Sequence, residues 1–157
     1  MENSQTEQSS DAMDMPHQAI NPPRILVVED DAEIRQLNVD SLSQSGYHVD
    51  AAVDGLAAWK ALQVNRYDLL VTDNNMPGMS GIELLRKLGT TGRTMPVIMA
   101  SGTVPNQDTA HRPDSVLFKP YSLDQLLAVV KSVLGRSQSP VRHRGNFQWG
   151  NTPSLRN

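Results

Sequence analysis

Four short apolar runs in this chain each end on residues able to do ionic or proton chemistry. Ile25-Leu26-Val27-Val28 runs into Glu29, Asp30 and Asp31, and Leu69-Leu70-Val71-Thr72 into Asp73. Val97-Ile98-Met99-Ala100 runs into Ser101, and Ser115-Val116-Leu117-Phe118 into Lys119-Pro120. A carboxylate at the end of a buried strand stands where apolar interior meets water, which is where open α/β sheets bind ligands. Crowded carboxylates repel one another unless a cation joins them. An all-oxygen donor set suits a hard divalent ion, Mg²⁺ above all. Such an ion also neutralises an incoming phosphoryl group, so Asp73 is expected to attack phosphorus as a carboxylate nucleophile and form an acyl phosphate. Ser101 would hydrogen-bond one phosphoryl oxygen and Lys119 would offset the charge of another.

Taken one at a time, these residues have plainer readings. Glu29, Asp30 and Asp31 suit the positive end of a helix dipole, and Asp31 reads as an N-cap with no further role. Ser101-Gly102 is equally a turn, Lys119-Pro120 a surface loop, and Asp73 ahead of Pro77-Gly78 a structural aspartate. Their joint placement decides between the readings. In a parallel sheet all four strand ends fall on one edge, so residues far apart in sequence meet in one cleft.

The elements needed for that placement are legible. Residues from about Asp31 to Ser45 predict a helix with Ile34, Leu37 and Leu42 on its inner side and Gly46 past its end. Tyr47 to Ala52 alternates as a more exposed strand. After the Asp54-Gly55 turn, Ala58, Trp59 and Leu62 mark a second helix, and Ile82, Leu85 and Leu88 mark a third. The last helix starts at a Ser122–Gln125 capping box, has Leu123, Leu126, Leu127, Val130 and Leu134 as its expected apolar face, and is expected to stop at Gly135. Between the last two strands, Gly102 to Asp114 contains Pro105 and Pro113 and little apolar surface, which predicts at most a short helical turn.

Composition narrows the class. The chain has 157 residues, enough for one domain with flexible ends. Aromatics are 4%, so the core is aliphatic, and without cysteine there are no disulfides or Cys-ligated metals. No run approaches the roughly 18 apolar residues that a membrane span needs, and no basic-then-apolar leader opens the chain. A cytoplasmic protein is expected. Residues 1–23 and 136–157 show no period and read as a disordered acidic segment and a disordered basic tail around a domain at 24–135. That domain is mildly acidic, a poor footprint for nucleic acid. The four histidines have no partners at metal-ligand spacing, and Trp59, Tyr67 and the methionines read as packing residues.

Taken together, Ile25-Leu26-Val27-Val28-Glu29-Asp30, Thr72-Asp73-Asn74-Asn75-Met76-Pro77-Gly78-Met79-Ser80-Gly81, Pro96-Val97-Ile98-Met99-Ala100-Ser101 and Phe118-Lys119-Pro120 resemble the receiver domains of two-component response regulators. The resemblance implies a flavodoxin-like, doubly wound α/β fold with a five-stranded parallel sheet of order 2-1-3-4-5. The helix between strands four and five, the fourth in the family's count, would be shortened or absent. It implies phosphorylation of Asp73 by a sensor histidine kinase or histidine phosphotransfer protein. It also implies Mg²⁺ held by Asp30, Asp73 and the backbone carbonyl of Asn75, with Glu29 assisting mainly through water, and a cis Lys119-Pro120 peptide. Three positions depart from the family pattern. Val116 stands where receivers carry an aromatic switch residue, the Gly102–Asp114 segment is short, and Gly102 replaces the usual alanine.

The leading expectation is a stand-alone phosphoacceptor with no output domain, signalling by protein contact or onward relay, without direct nucleic-acid or membrane contact. A phosphorylation-independent interaction module is the alternative. A phosphatase working through an aspartyl phosphate would need an acid two residues after the nucleophile, where this chain has the amide Asn75.

Overall fold

The computed structural model describes residues 21–105 and 112–137. Five strands form one parallel sheet: β1 (Arg24–Val28), β2 (His48–Ala52), β3 (Leu69–Asp73), β4 (Val97–Ser101) and β5 (Ser115–Phe118), in the order β2-β1-β3-β4-β5. The helices are α1 (Ala32–Gln44), α2 (Gly55–Val64), α3 (Gly81–Gly89) and α4 (Leu123–Ser137). This is the doubly wound sheet expected from the alternation of apolar runs and amphipathic stretches.

Position in the sheet follows from how apolar each run is. β3 and β4 are buried along their whole length and lie centrally, whereas β2, with its mixed burial, takes an edge. Alternate residues divide between two cores. Leu26, Val28, Leu70 and Met99 pack with the apolar faces of α2 and α3. Ile25, Val27, Val71, Ile98 and Leu117 pack on the other side with those of α1 and α4. Trp59, Tyr67, Met79 and Met95 are packed, partly buried, against the first core, and Met76 lies within it.

Three details differ from the sequence expectation: Leu123, on the face expected for the last helix, is 39% exposed, and the other two concern the inner face of α1 and the end of α4. On α1 the buried residues are Asn38 and Leu42, and Leu37 is 56% exposed. At 3.6 residues per turn, position 37 lies about 140° around the helix from 42, while 38 falls between 34 and 42. The apolar type of Leu37 suggested the wrong face. At the other end, α4 runs through Gly135 to Ser137. Glycine caps a helix by taking a positive φ, which Gly135 does not have. The helix therefore continues at a cost of about 1 kcal/mol relative to alanine.

The described residues between β4 and β5, Gly102–Pro105 and Arg112–Asp114, are non-helical. The centre of that expected short turn lies outside the described residues, as do residues 1–20 and 138–157 of the two terminal segments, whereas Arg136 and Ser137, expected in the tail, belong to α4. The fourth helix along the chain, α4, is present and is the longest of those described. Asp31 caps α1, its side chain accepting from the N–H groups of Glu33 and Ile34, and Ser122 and Gln125 exchange the two capping-box bonds at the start of α4. No helix among the described residues is long and apolar enough to cross a membrane.

Candidate functional site

The carboxyl ends of β1, β3 and β5 converge as expected. Glu29, Asp30 and Asp73 each offer a carboxylate oxygen within 4.8 Å of the others. Glu29 and Asp73 are buried, at 3% and 4% exposure, while Asp30 faces solvent. Lys119 closes the group from β5. Its Nζ lies 3.2 Å from Asp73 Oδ2 and 3.5 Å from Glu29 Oε2, so one ammonium bridges the two buried acids. The remaining oxygens are held by backbone donors: Asn75 N–H to Asp73 Oδ1 at 3.2 Å, and Asp31 N–H to Glu29 Oε1 at 3.2 Å.

The electrostatics of this group are unbalanced in one direction. Burial, and then the charge of Asp73, push the Glu29 carboxyl above its ordinary value, against the Asp31 N–H and Lys119. Burial alone would depress Lys119, but its hydrogen bond to Asp73 and the charges of Asp73 and Glu29 outweigh that and raise it. A single ammonium therefore leaves excess negative charge among three acids. An all-oxygen set with one solvent-facing member fits a hard divalent cation entering from the side of Asp30.

The Glu29 shift has a consequence for stability. Between the ordinary 4.5 and its raised native value, the native state holds a proton that the unfolded chain has released. Stability contributed by this site therefore falls as pH rises through that window. In a chelator, the stability of wild type measured against Glu29→Gln by urea midpoints is expected to decline on going from about pH 4 to about pH 8. A flat difference would contradict it.

Several positioning groups were not apparent from the sequence. Arg35 on α1 donates to the carbonyl of Glu29 at 2.8 Å and that of Asp30 at 3.4 Å, gripping the end of β1. Thr72, wholly buried, donates its hydroxyl to the Asp73 carbonyl at 2.9 Å. Asn74 N–H donates to Ala100 at 2.9 Å, and its side-chain oxygen accepts from Ile82 N–H at 3.2 Å, tying the loop after β3 to β4 and α3. Gly81 contributes through its lack of a side chain. It starts α3 so close to β3 that a Cβ would lie 2.5 Å from the Asp73 carbonyl oxygen. Such contacts carry no periodic signal, because each joins separate elements.

Ser101 ends β4 fully buried, and its hydroxyl oxygen accepts from Thr103 N–H at 3.3 Å. Its carbonyl accepts Lys119 N–H at 2.9 Å, which links the two strand ends through the backbone. Asn75 is exposed on the loop after β3. Lys119-Pro120 is cis. Val116 is half-buried opposite Met99, and Phe118, opposite Ser101 in the register, is 54% exposed.

Comparison with known proteins agrees with this arrangement. The sequence profile of the response regulator receiver domain matches residues 25–131. The transcriptional regulatory protein TctD of Salmonella typhimurium is 36% identical over 122 residues, covering 75% of this chain and 54% of that protein. The chain spans about half the length of the curated relatives it matches. The receiver domain of the Francisella response regulator 1452 is similar in structure, with a TM-score of 0.66, 31% identity, and coverage of 74% of this chain and 99% of that one. So is the response regulator TrrA from Thermotoga maritima, solved in complex with Mg²⁺-BeF, with a TM-score of 0.64, 30% identity, and coverage of 71% and 98%. Receiver domains accept phosphoryl groups and are not enzymes in the ordinary sense. With its flavodoxin-like fold, its acidic cluster and this match, the chain belongs to the response regulator receiver domain family.

Proposed function

We propose that this chain is a phosphoacceptor switch in which Asp73 takes a phosphoryl group from a histidine kinase or histidine phosphotransfer protein in the cytoplasm. The observation that carries the proposal is the single ammonium of Lys119 spanning buried Asp73 and Glu29 beside solvent-facing Asp30. Asp30, Asp73 and the Asn75 carbonyl would hold Mg²⁺, with Glu29 assisting, and the ion would neutralise charge on the incoming phosphoryl group. An Asp73 carboxylate oxygen forms the new bond to phosphorus. The bond from phosphorus to the donor's imidazole nitrogen breaks, and its electron pair leaves with that nitrogen. Lys119 then moves its attraction from the Asp73 carboxylate to a phosphoryl oxygen, and Ser101 donates its hydroxyl to another. Asn75, an amide, supplies no proton for hydrolysis, which favours a switch over a phosphatase. The mild acidity of residues 24–135 favours signalling by protein contact or onward transfer rather than direct contact with nucleic acid.

Incubation with acetyl phosphate and Mg²⁺, followed by peptide mapping by mass, tests the reading. A base-labile phosphate is expected on the peptide containing Asp73. A protein that stays unlabelled, or that carries its phosphate elsewhere, would refute the proposal.

A further inference from the structure

One polar contact inside the second core belongs to none of the groups described above. Asn38 sits on the inner face of α1 at 3% exposure, among positions otherwise suited to aliphatic residues. Its side-chain amide donates to the phenolic oxygen of Tyr121 at 2.9 Å, across 83 positions of sequence. Tyr121 lies two residues after Lys119, in the connection that leads from β5 into α4, and its ring packs against the second core. Burying an amide is costly unless it is paired. The described residues leave no buried side-chain nitrogen or oxygen without a hydrogen bond, and Tyr121 is the partner of the Asn38 amide nitrogen.

The geometry points to Tyr121 and Asn38 as positioning residues for Lys119. The effect of the pair on labelling rate rests on the function proposed above; the placement of the ammonium does not. Lysine has a long, flexible side chain, and its reach is set by where its backbone stands. On one side, Lys119 N–H is fixed to the Ser101 carbonyl at 2.9 Å. On the other, the segment has no ladder partner once β5 ends at Phe118. The Asn38–Tyr121 bond supplies the missing tether. Its other end is α1, the helix whose Arg35 holds the carbonyls of Glu29 and Asp30. One helix thus references both sides of the site, the acids at the end of β1 and the ammonium after β5. A pair of apolar side chains would fill the same volume, yet contact alone does not fix a direction, whereas a hydrogen bond does. Tyr121 also lies close enough to feel the charges of Glu29, Lys119 and Asp73.

The test uses Tyr121→Phe, the double variant Asn38→Leu/Tyr121→Phe, and each tyrosine state in a Lys119→Ala background. Three quantities are read: the rate of Asp73 labelling by acetyl phosphate at saturating Mg²⁺, the thermal midpoint, and the position of Lys119 Nζ in a crystal structure of each variant without donor. Tyr121→Phe is expected to lower the midpoint, slow labelling about tenfold, and move Nζ out of its bridge between Asp73 and Glu29. The double variant removes the orphaned amide and regains the midpoint, but not the rate or the bridge. In Lys119→Ala, Tyr121→Phe adds no further slowing, since residues acting through one group are not additive. Recovery of rate together with the midpoint, or full slowing in the Lys119→Ala background, would reduce the pair to packing and overturn the inference. An unmoved Nζ in Tyr121→Phe would overturn it as well. Wild type that fails to label refutes the proposed function alone, because the position of Nζ still decides the role of the pair.

Discussion

Replacement of Asp73 by asparagine is expected to remove phosphate labelling to the limit of detection while leaving the fold intact. An amide oxygen has no charge to bring to phosphorus, and no neighbouring group replaces the lost nucleophile. Glu29 is held behind Lys119, its nearest oxygen 3.5 Å from the ammonium, and the third acid, Asp30, is a solvent-facing residue on a different strand end. The fold survives because the substitution is nearly isosteric and eases the local charge. Asp73 contributes the second-largest push on the Glu29 carboxyl, so that carboxyl is expected to titrate lower in the variant. Lys119 keeps Glu29 as a partner. The thermal midpoint in chelator should stay within a few degrees of wild type, equivalent to roughly 1 kcal/mol. Affinity for Mg²⁺ should fall, since one of the buried oxygen donors has lost its charge. Labelling and calorimetry on the same preparation check both halves. Label that persists on the variant removes Asp73 from the role of acceptor.

Gly81→Ala is expected to have the largest effect on stability, and two opposing magnitudes decide its sign. Gly81 opens α3 without a positive φ, so alanine fits its backbone and by helix propensity alone would stabilise by up to about 1 kcal/mol. Against that, the new Cβ would stand 2.5 Å from the Asp73 carbonyl oxygen and 3.0 Å from Asn74 Cα. Both are backbone atoms, which cannot rotate aside. Overpacking of this kind costs about 1–3 kcal/mol, and here it forces α3 away from the strand end that carries the acceptor. A net loss of about 1–2 kcal/mol is expected, with labelling slowed by about tenfold or more as the Asp73–Asn75 geometry shifts. Gly135→Ala is the internal control. That glycine lies within α4 with nothing within 4 Å of its would-be Cβ, so propensity acts alone and stability should rise by about 0.5–1 kcal/mol. Urea midpoints for the two variants should therefore move in opposite directions. A Gly81→Ala protein as stable as wild type would show that the approach of α3 to β3 relaxes freely.

Both predictions turn on a distinction between local and global information. By itself, the amino-acid sequence determined which residues stand at strand ends. Apolar runs such as Ile25–Val28 and Leu69–Thr72 are long enough only for buried strands, and the first polar residue after each must emerge at the sheet edge. Parallel topology then brings Glu29, Asp30, Asp73 and Lys119 to that edge, so the candidate site was legible before any coordinates. Helix caps were legible for the same reason, since Asp31 and the Ser122–Gln125 pair act within a single turn.

Only the tertiary structure decided how those residues are held. Whether Lys119 serves one acid or two depends on side-chain reach across three strands, and the observed answer is two. Asn38 rather than Leu37 faces the core because rotation of α1 is set by its packing against the sheet and α4, and Tyr121 is there to receive the amide. Arg35, Thr72 and Gly81 act on backbone atoms of neighbouring elements, and a sequence pattern with a period of two or 3.6 carries no record of such contacts. Periodicity assigns a side chain to a face. What that face meets depends on where the rest of the chain has packed.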